Sequence, residues 1–333
     1  MRFLVLSRNA SLYSTSRIVL AARARGHDVN VIDPLEFQIV VSRGRPSLLA
    51  GGAPVPRHDI VVPRIGASIT NYGLAVVRQF DLMGVPVLNG AVSIARSRDK
   101  LRALQLLTRR NIDVPITVCA RTPAGVEAAL GLVGGCPAII KLQQGTQGIG
   151  TMIAETPQAV HSLLETFWAM GQDIVLQEYV RESKGRDIRV IVVGGRVIAS
   201  MRRVAKPGEF RSNLHRGGKG NAVVLQRAFR SVAMRSAKAM GLEVAGVDML
   251  EGKNGPKILE INSSPGLEGV ERASGINVAA AIVAHAERYA ADHRRLSKRE
   301  VNQRLLVEAI QDERMPLARV PATRSPRARR AAS

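Results

Sequence analysis

The residues best suited to chemistry lie in residues 244–268, VAGVDMLEGKNGPKILEINSSPGLE. Two runs of strand character flank a polar, glycine-containing turn, which predicts a β-hairpin. With Lys253-Asn254-Gly255 as a three-residue loop, and Gly255 able to take the left-handed position, Asp248 falls opposite Glu260. Side chains alternate along a strand, so Asp248, Glu260 and Asn262 share one face, while Val247, Met249, Leu259 and Ile261 face a core. Two carboxylates and an amide on one face of an apolar hairpin carry a desolvation cost that a divalent cation offsets. All-oxygen ligands of this kind suit Mg²⁺ or Mn²⁺, above all where phosphates supply the remaining oxygens. The bland alternative is a solvated hairpin face whose charges bind nothing. Ser263-Ser264-Pro265-Gly266 stops the strand just past the site.

A second group lies upstream. Residues 137–142 read as a strand that delivers Lys141 to the mouth of a glycine-rich loop, Gly145-Thr146-Gln147-Gly148-Ile149-Gly150, and residues 151–155 resume as a strand. Such a loop can fold over a triphosphate with its backbone N–H groups toward the oxygens. It is not the GxxxxGK[ST] loop, which opens a helix and carries its lysine inside. Another strand, residues 174–179, ends in Gln177-Glu178-Tyr179-Val180, where free backbone groups could meet an adenine edge and a nearby carboxylate could meet ribose hydroxyls. An ordinary antiparallel sheet with polar loops accounts for each of these residues singly; the functional reading rests on the set. Residues 202–220, RRVAKPGEFRSNLHRGGKG, are glycine-rich and strongly basic, either a charged surface or a lid that closes over anions. His215 reads as a solvent-exposed histidine.

These groups need elements to hold them. The chain has 333 residues with 46% hydrophobic content, enough for two or three small domains with real cores, and only 3% aromatics, so those cores are aliphatic. Strands at 2–6, 29–32, 60–62 and 85–88 alternate with helices at 14–25 and 71–83, a βαβ pattern that predicts a parallel sheet with helices on both faces over residues 1 to about 95. Ser7-Arg8-Asn9-Ala10 follows the first strand where a dinucleotide site has GxGxxG, which argues against a nicotinamide dehydrogenase. Residues 97–110 read as a basic amphipathic helix with Ser97 as N-cap and Lys100 in its first turn, an ordinary surface lysine when taken alone. Helices are predicted at 159–170, 222–240 and 276–289, and strands at 190–193 and 196–201.

Net charge is +21, so the surface should attract acidic partners such as nucleotides, nucleic acid or ribosomes. Part of that excess sits beyond Arg314, in a proline-interrupted basic tail predicted to be disordered and able to meet RNA electrostatically; a charged helix is expected at 297–310. Cys119 and Cys136 fit no metal spacing and suggest a reducing, cytoplasmic setting. No window approaches the apolar length of a membrane span, and the start lacks a secretory signal, so no membrane partner is expected.

SRNASLYS, IDP, PRIG, ARSRDKLR, KLQQGTQGIG, FRSNLHRGG and EINSSPGLEG occur in an order that resembles the RimK family of ATP-grasp α-L-glutamate ligases, from Met1 to about Tyr289. The resemblance implies an α/β chain, α+β overall: a Rossmann-like pre-ATP-grasp domain over 1–97, a two-subdomain ATP-grasp fold over 98–290, and the basic tail from 291. It implies ATP as co-substrate and two Mg²⁺ or Mn²⁺ ions, one on Asp248 and Glu260, the other on Glu260 and Asn262. Lys141 and Lys100 would meet phosphates, Glu178, Tyr179 and Val180 adenine, Asp187 ribose, and Arg211, Ser212 and Asn213 the phosphates again. Arg203 and Arg211 are the candidates for stabilising the reacting acyl phosphate. The family adds L-glutamate to the C-terminus of the S-six protein of the small ribosomal subunit, and the resemblance also implies a homotetramer. An ATP-grasp ligase making free poly-α-glutamate or using another small acid is the alternative. A ribosome- or RNA-associated binding protein with a degenerate ATP site is a third reading.

Overall fold

The computed structural model describes residues 1–122, 125–142, 150–214 and 217–295. Residues 143–149, which hold most of the glycine-rich loop, lie outside the described residues, as do His215, the helix expected at 297–310 and the basic tail.

The N-terminal sheet is parallel. Arg2–Leu6 is its central strand, flanked by Asp28–Ile32 and Ile60–Pro63. The crossover helix Tyr13–Ala24 buries Thr15, Ile18, Val19 and Ala22, the three-and-four spacing of one helical face. Thr70–Leu82 covers the opposite face with Val76, Val77 and Phe80. The strand expected at 85–88 shrinks to a single parallel bridge between Val61 and Val87. Pro86 has no N–H to extend the ladder, although its carbonyl still accepts from Val61 N at 2.9 Å. A small antiparallel sheet of Phe37–Val40, Ser47–Ala50 and Ala53–Pro54 was not expected; its strands are short and separated by Gly-containing turns, which hides the two-residue period.

The helix predicted over 97–110 is two helices, Ala91–Arg98 and Lys100–Arg109, broken at Asp99. Asp99 is extended, and its carboxylate accepts from Arg102 N at 3.0 Å, so Asp99 rather than Ser97 is the cap. Ser97 Oγ instead donates to the Ile94 carbonyl. The break makes Lys100 the first residue of a new helix.

Two antiparallel sheets follow. The first runs Thr117–Cys119, Ile174–Glu178, Ala138–Leu142, Thr151–Ala154 in spatial order, backed by Val126–Leu132 and Pro157–Ala169. The second runs Lys219–Ala222, Arg196–Val204, Arg186–Val193, Val244–Gly252, Gly255–Asn262. Ile188, Val190 and Val192 turn one face of it toward the helices Lys100–Arg109 and Arg227–Met240. On the other face Ile191, Val193 and Met201 join the core of the N-terminal sheet, and two residues further along the same strand that face turns polar at Arg189 and Asp187. Part of the expected basic loop is therefore strand, reaching Val204 and resuming at Lys219.

The hairpin pairs Asp248 with Glu260 as expected, but by a different route. Its loop is two residues, Lys253-Asn254, with Gly252 opposite Gly255, and a bulge sets Met249 opposite Ile258. The shorter loop and the extra bulged residue cancel at Asp248. Leu259 therefore leaves the core, where it was expected, and lines the cleft, while Ile258 takes the core position.

The last helix, Val278–Arg295, continues five residues beyond the point where polar composition suggested a tail. Glu287 takes both Arg25 and His27 at 2.6 Å, and Arg294 pairs with Asp59, so the N-terminal domain holds its polar end. Among the described residues no helix is long and apolar enough to cross a membrane.

Candidate functional site

A cleft opens between the two antiparallel sheets. Lys100, Lys141, Glu178, Tyr179, Val180, Asp187, Arg203, Arg211, Ser212, Asn213, Asp248 and Glu260 all line it. Asn262 stands beside them, its Nδ2 donating to Glu260 Oε1 at 3.1 Å.

The centre of the cleft is an ionic lattice across three strands. Asp248 is 1% exposed, with Arg189 on both oxygens at 2.7 and 2.6 Å and Arg203 Nη2 on Oδ2 at 2.8 Å. Arg203 also clasps both oxygens of Asp187, with Nε at 2.6 Å from Oδ1. Burial alone pushes the Asp248 carboxyl up, but the two guanidinium groups outweigh it and hold the group below the usual carboxylate range. Two arginines balance two aspartates, and the Glu260 carboxylate is left to face Lys141 and Lys100 across the cleft.

A cation would be held at the Glu260 edge of this lattice. Arg189 Nη2 lies 2.6 Å from Asp248 and 4.0 Å from Glu260, a positive group already drawn between the two expected ligands. The donors are two carboxylates and an amide, all hard oxygen once Asn262 presents Oδ1. Among the described residues no group of three His, Cys, Asp or Glu is placed to hold a metal, so these three would supply part of a shell that phosphate oxygens and water complete. Arg189 was missed in the sequence; its two-residue spacing from Asp187 on one strand was the available signal. Asn89 was missed too. It is buried and staples both chain ends of the hairpin: Oδ1 accepts from Glu243 N and Val244 N at 2.8 and 2.9 Å, and Nδ2 donates to Val244 and Ser263 carbonyls at 2.8 and 2.9 Å.

The other wall carries the lysines. Lys141 Nζ donates to Gln177 Oε1 at 2.6 Å, and Gln177 Nε2 donates to Thr117 Oγ1 at 2.7 Å. Burial draws Lys141 down to about 8, with Glu260 opposing the shift and Lys100 adding to it. Lys100, likewise lowered by burial, donates to the Leu142 carbonyl at 3.1 Å. The break at Asp99 is what delivers it. Gly150 closes the glycine-rich loop against the same residue: its carbonyl accepts from Leu142 N at 2.9 Å, and at φ 75° a Cβ would sit 2.7 Å from the Leu142 side chain.

Glu178 does not offer its carboxylate to the cleft. Lys257 holds both oxygens at 2.9 and 2.7 Å, and Ile116 N donates to one at 2.9 Å. The segment 210–213 forms an arm over the cleft. Arg211 pairs with Glu209 at 2.8 Å, reaches the Thr151 carbonyl at 3.4 Å and sits 5.2 Å over the Phe210 ring. The hydrogen bonds from Arg211 hold Glu209 down at about 2. Gly218 backs the arm so closely that a Cβ would lie 2.6 Å from the Ser212 carbonyl oxygen.

Comparison with known proteins follows the same division. Residues 1–94 match the RimK PreATP-grasp domain and residues 97–286 the RimK-like ATP-grasp domain. The chain is 52% identical over 288 residues to a protein of Shewanella frigidimarina named "Probable alpha-L-glutamate ligase 1", covering 86% of this chain and 96% of that one. It is 53% identical over 290 residues to a "Probable alpha-L-glutamate ligase 2" of Shewanella baltica, covering 87% and 96%. Among solved structures, the ATP-grasp ligase PsnB in complex with a minimal precursor superposes with a TM-score of 0.70 at 21% identity over 86% of this chain and 98% of that one. The D-alanine–D-alanine ligase of Bacillus anthracis with ATP gives 0.64 at 15% identity over 88% and 98%. With both domain models matched and relatives half identical along nearly their full length, the chain belongs to the RimK family of ATP-grasp enzymes, ADP-forming carboxylate–amine ligases that use ATP and Mg²⁺.

Proposed function

We propose that this enzyme joins L-glutamate by an amide bond to a carboxylate that it first activates with ATP, and that the carboxylate is the C-terminus of a protein. The observation that carries the reading is the similarity to α-L-glutamate ligases over 96% of their length, together with Asp248, Glu260 and Asn262 gathered beside the Arg189–Asp248–Arg203–Asp187 lattice. The first candidate acceptor is the S-six protein of the small ribosomal subunit. That PsnB is solved with a precursor peptide supports a peptide or protein as substrate.

The residues divide the work as follows. Lys100 and Lys141 face the phosphates from one wall, and Arg211, Ser212 and Asn213 close from the arm. The backbone of Glu178, Tyr179 and Val180 holds the adenine, since the Glu178 carboxylate is already committed to Lys257. Asp187 is the residue assigned to the ribose, and since Arg203 already takes both of its oxygens, it would meet a ribose hydroxyl only while still holding Arg203. Asp248, Glu260 and Asn262 would hold two Mg²⁺ or Mn²⁺ ions, which would supply charge neutralisation at the phosphates. Arg203 and Arg211 add positive charge where the acyl phosphate forms.

An oxygen of the substrate carboxylate attacks the γ-phosphorus, and ADP leaves. The glutamate amine then attacks the acyl carbon, the carbon–oxygen bond breaks, phosphate departs and the amine proton passes to solvent. No protein nucleophile is needed, so catalysis is positioning and charge stabilisation. Closure of the arm would exclude the water that hydrolyses such an intermediate. In the same reading the domains divide at 97/98 and near 290, the chain works in the cytoplasm as a tetramer, and the basic tail adds electrostatic contact with ribosome or RNA.

The test is ADP release with ATP, Mg²⁺ and L-glutamate, with and without the purified S-six protein, read together with mass spectrometry. Glutamate increments on the protein support the reading. ADP with free glutamate oligomers would replace it with a peptide synthetase, and no ADP under either condition would favour a binding protein.

A further inference from the structure

Two arginines remain outside the machinery described so far. Arg64 follows the third parallel strand in the PRIG segment, and Arg98 ends the helix before the break at Asp99. Both side chains are partly buried at the same junction. Arg64 Nη2 donates to the Pro265 carbonyl at 2.8 Å, and Arg98 Nη2 donates to the carbonyl of Ile65, the neighbour of Arg64. Among the described residues no carboxylate pairs with either guanidinium. Burial and the adjacent charge of Arg98 draw Arg64 down to about 10.

Two like charges withdrawn together from water, each bonded to a neutral carbonyl, repel one another and favour an anion between or beside them. A guanidinium fork matches a carboxylate in plane and spacing, and the donors not used on carbonyls remain for one. The location selects which carboxylate. Pro265 is three residues past Asn262, at most about 10 Å of chain from the metal ligands. Arg98 is two residues before Lys100, and Ser97 beside it lines the nucleotide cleft. An anion bound here would lie near the reacting centre without itself being the group that reacts, since the hydrogen bonds of both arginines go to Pro265 and Ile65 and not to Asp248 or Glu260. The amine-supplying amino acid has that need: its nitrogen reacts while its carboxylates stay free.

We propose that Arg64 and Arg98 form a carboxylate site for the acidic amino acid that supplies the amine, built from one residue on each side of the junction between the N-terminal and grasp domains. The proposal rests on the ligase reading above for the identity of the acid, but its binding site does not depend on turnover.

The experiment is calorimetric titration of the full chain, loaded with Mg²⁺ and ADP, with L-glutamate, L-aspartate and a peptide ending in glutamate. It is run on wild type and on Arg64→Gln, Arg98→Gln and Arg64→Lys, alongside ADP-release kinetics. The expected result is that Arg64→Gln and Arg98→Gln each weaken L-glutamate at least tenfold while ADP affinity stays within twofold. Arg64→Lys, which keeps the charge and loses the fork, should give a smaller loss. Should Arg64→Gln fail to bind ADP, Arg98→Gln and Arg64→Lys decide the matter. Unchanged glutamate affinity in the variants overturns the proposal, as does a wild type that binds neither free acid. Weakening of the peptide alone overturns the assignment to the amine donor. Weakened glutamate binding in an enzyme that never releases ADP leaves the carboxylate site standing and removes the ligase reading.

Discussion

Asp248 and Glu260 are both expected metal ligands, yet substituting them should affect stability very differently. Asp248 is 1% exposed and receives three charge-assisted hydrogen bonds from Arg189 and Arg203. Asp248→Asn strands those guanidiniums, and breaking a buried pair from one side costs about 3–5 kcal/mol. Arg203 keeps Asp187, and the new amide oxygen still accepts a bond, so the lower end, about 3 kcal/mol, applies. The Glu260 side chain is 44% exposed, and Arg189 approaches it no closer than 4.0 Å, so Glu260→Gln should cost under about 1 kcal/mol. Both variants should lose at least about a hundredfold in ADP release. Urea unfolding in metal-free buffer, paired with the ADP assay, measures the contrast. The pH dependence has a definite sign. The Asp248 carboxyl is held below its unfolded value, so its stabilisation is complete above about pH 4 and is lost as pH falls through the folded value. The difference from wild type should therefore be constant between pH 8 and 5 and shrink only in stronger acid. Equal stability of the two variants would refute the idea that the lattice holds the three strands together.

Lys141, drawn down to about 8, is partly neutral at pH 8.5 until phosphates arrive, so nucleotide binding there should take up a fraction of a proton. Calorimetry in buffers of different ionisation enthalpy reads this, and the uptake should vanish at pH 6.5 and in Lys141→Arg. Asn89→Ala leaves four backbone groups of the hairpin ends without their partner and should lower the unfolding free energy by about 3 kcal/mol, measured by thermal or urea unfolding. Gly218→Ala places a Cβ 2.6 Å from the Ser212 carbonyl and 3.1 Å from the Val204 carbonyl and should raise the KM for ATP at least fivefold while the chain stays folded, since the tightest clash falls on the arm and Val204 is the last residue of its strand. An unchanged KM would detach the arm from the phosphates.

Local chemistry was enough to read much of this molecule. The alternation of apolar strands and amphipathic helices dictates the N-terminal sheet, and Asp248, Glu260 and Asn262 share a face because strand side chains alternate. Lys141 was visible at the end of its strand, and the basic composition of residues 202–220 marked the region of the arm, whose Arg211, Ser212 and Asn213 were singled out by the family resemblance. What escaped the sequence depends on partners distant along the chain. Arg203 meets Asp187 16 positions away, and Arg189 meets Asp248 59 positions away, so pairing across the sheet selects which charges are buried together. Asn89 is one amide until it meets strand ends 155 and 174 positions on. Leu259 and Ile258 exchange places because a bulge, settled by packing against the helix behind, offsets a shorter turn. Periodicity is a property of neighbours and survives in a linear chain; charge partners, caps and bulges are chosen by the lowest free energy of the assembled whole, where burying an unmatched group costs more than shifting a register.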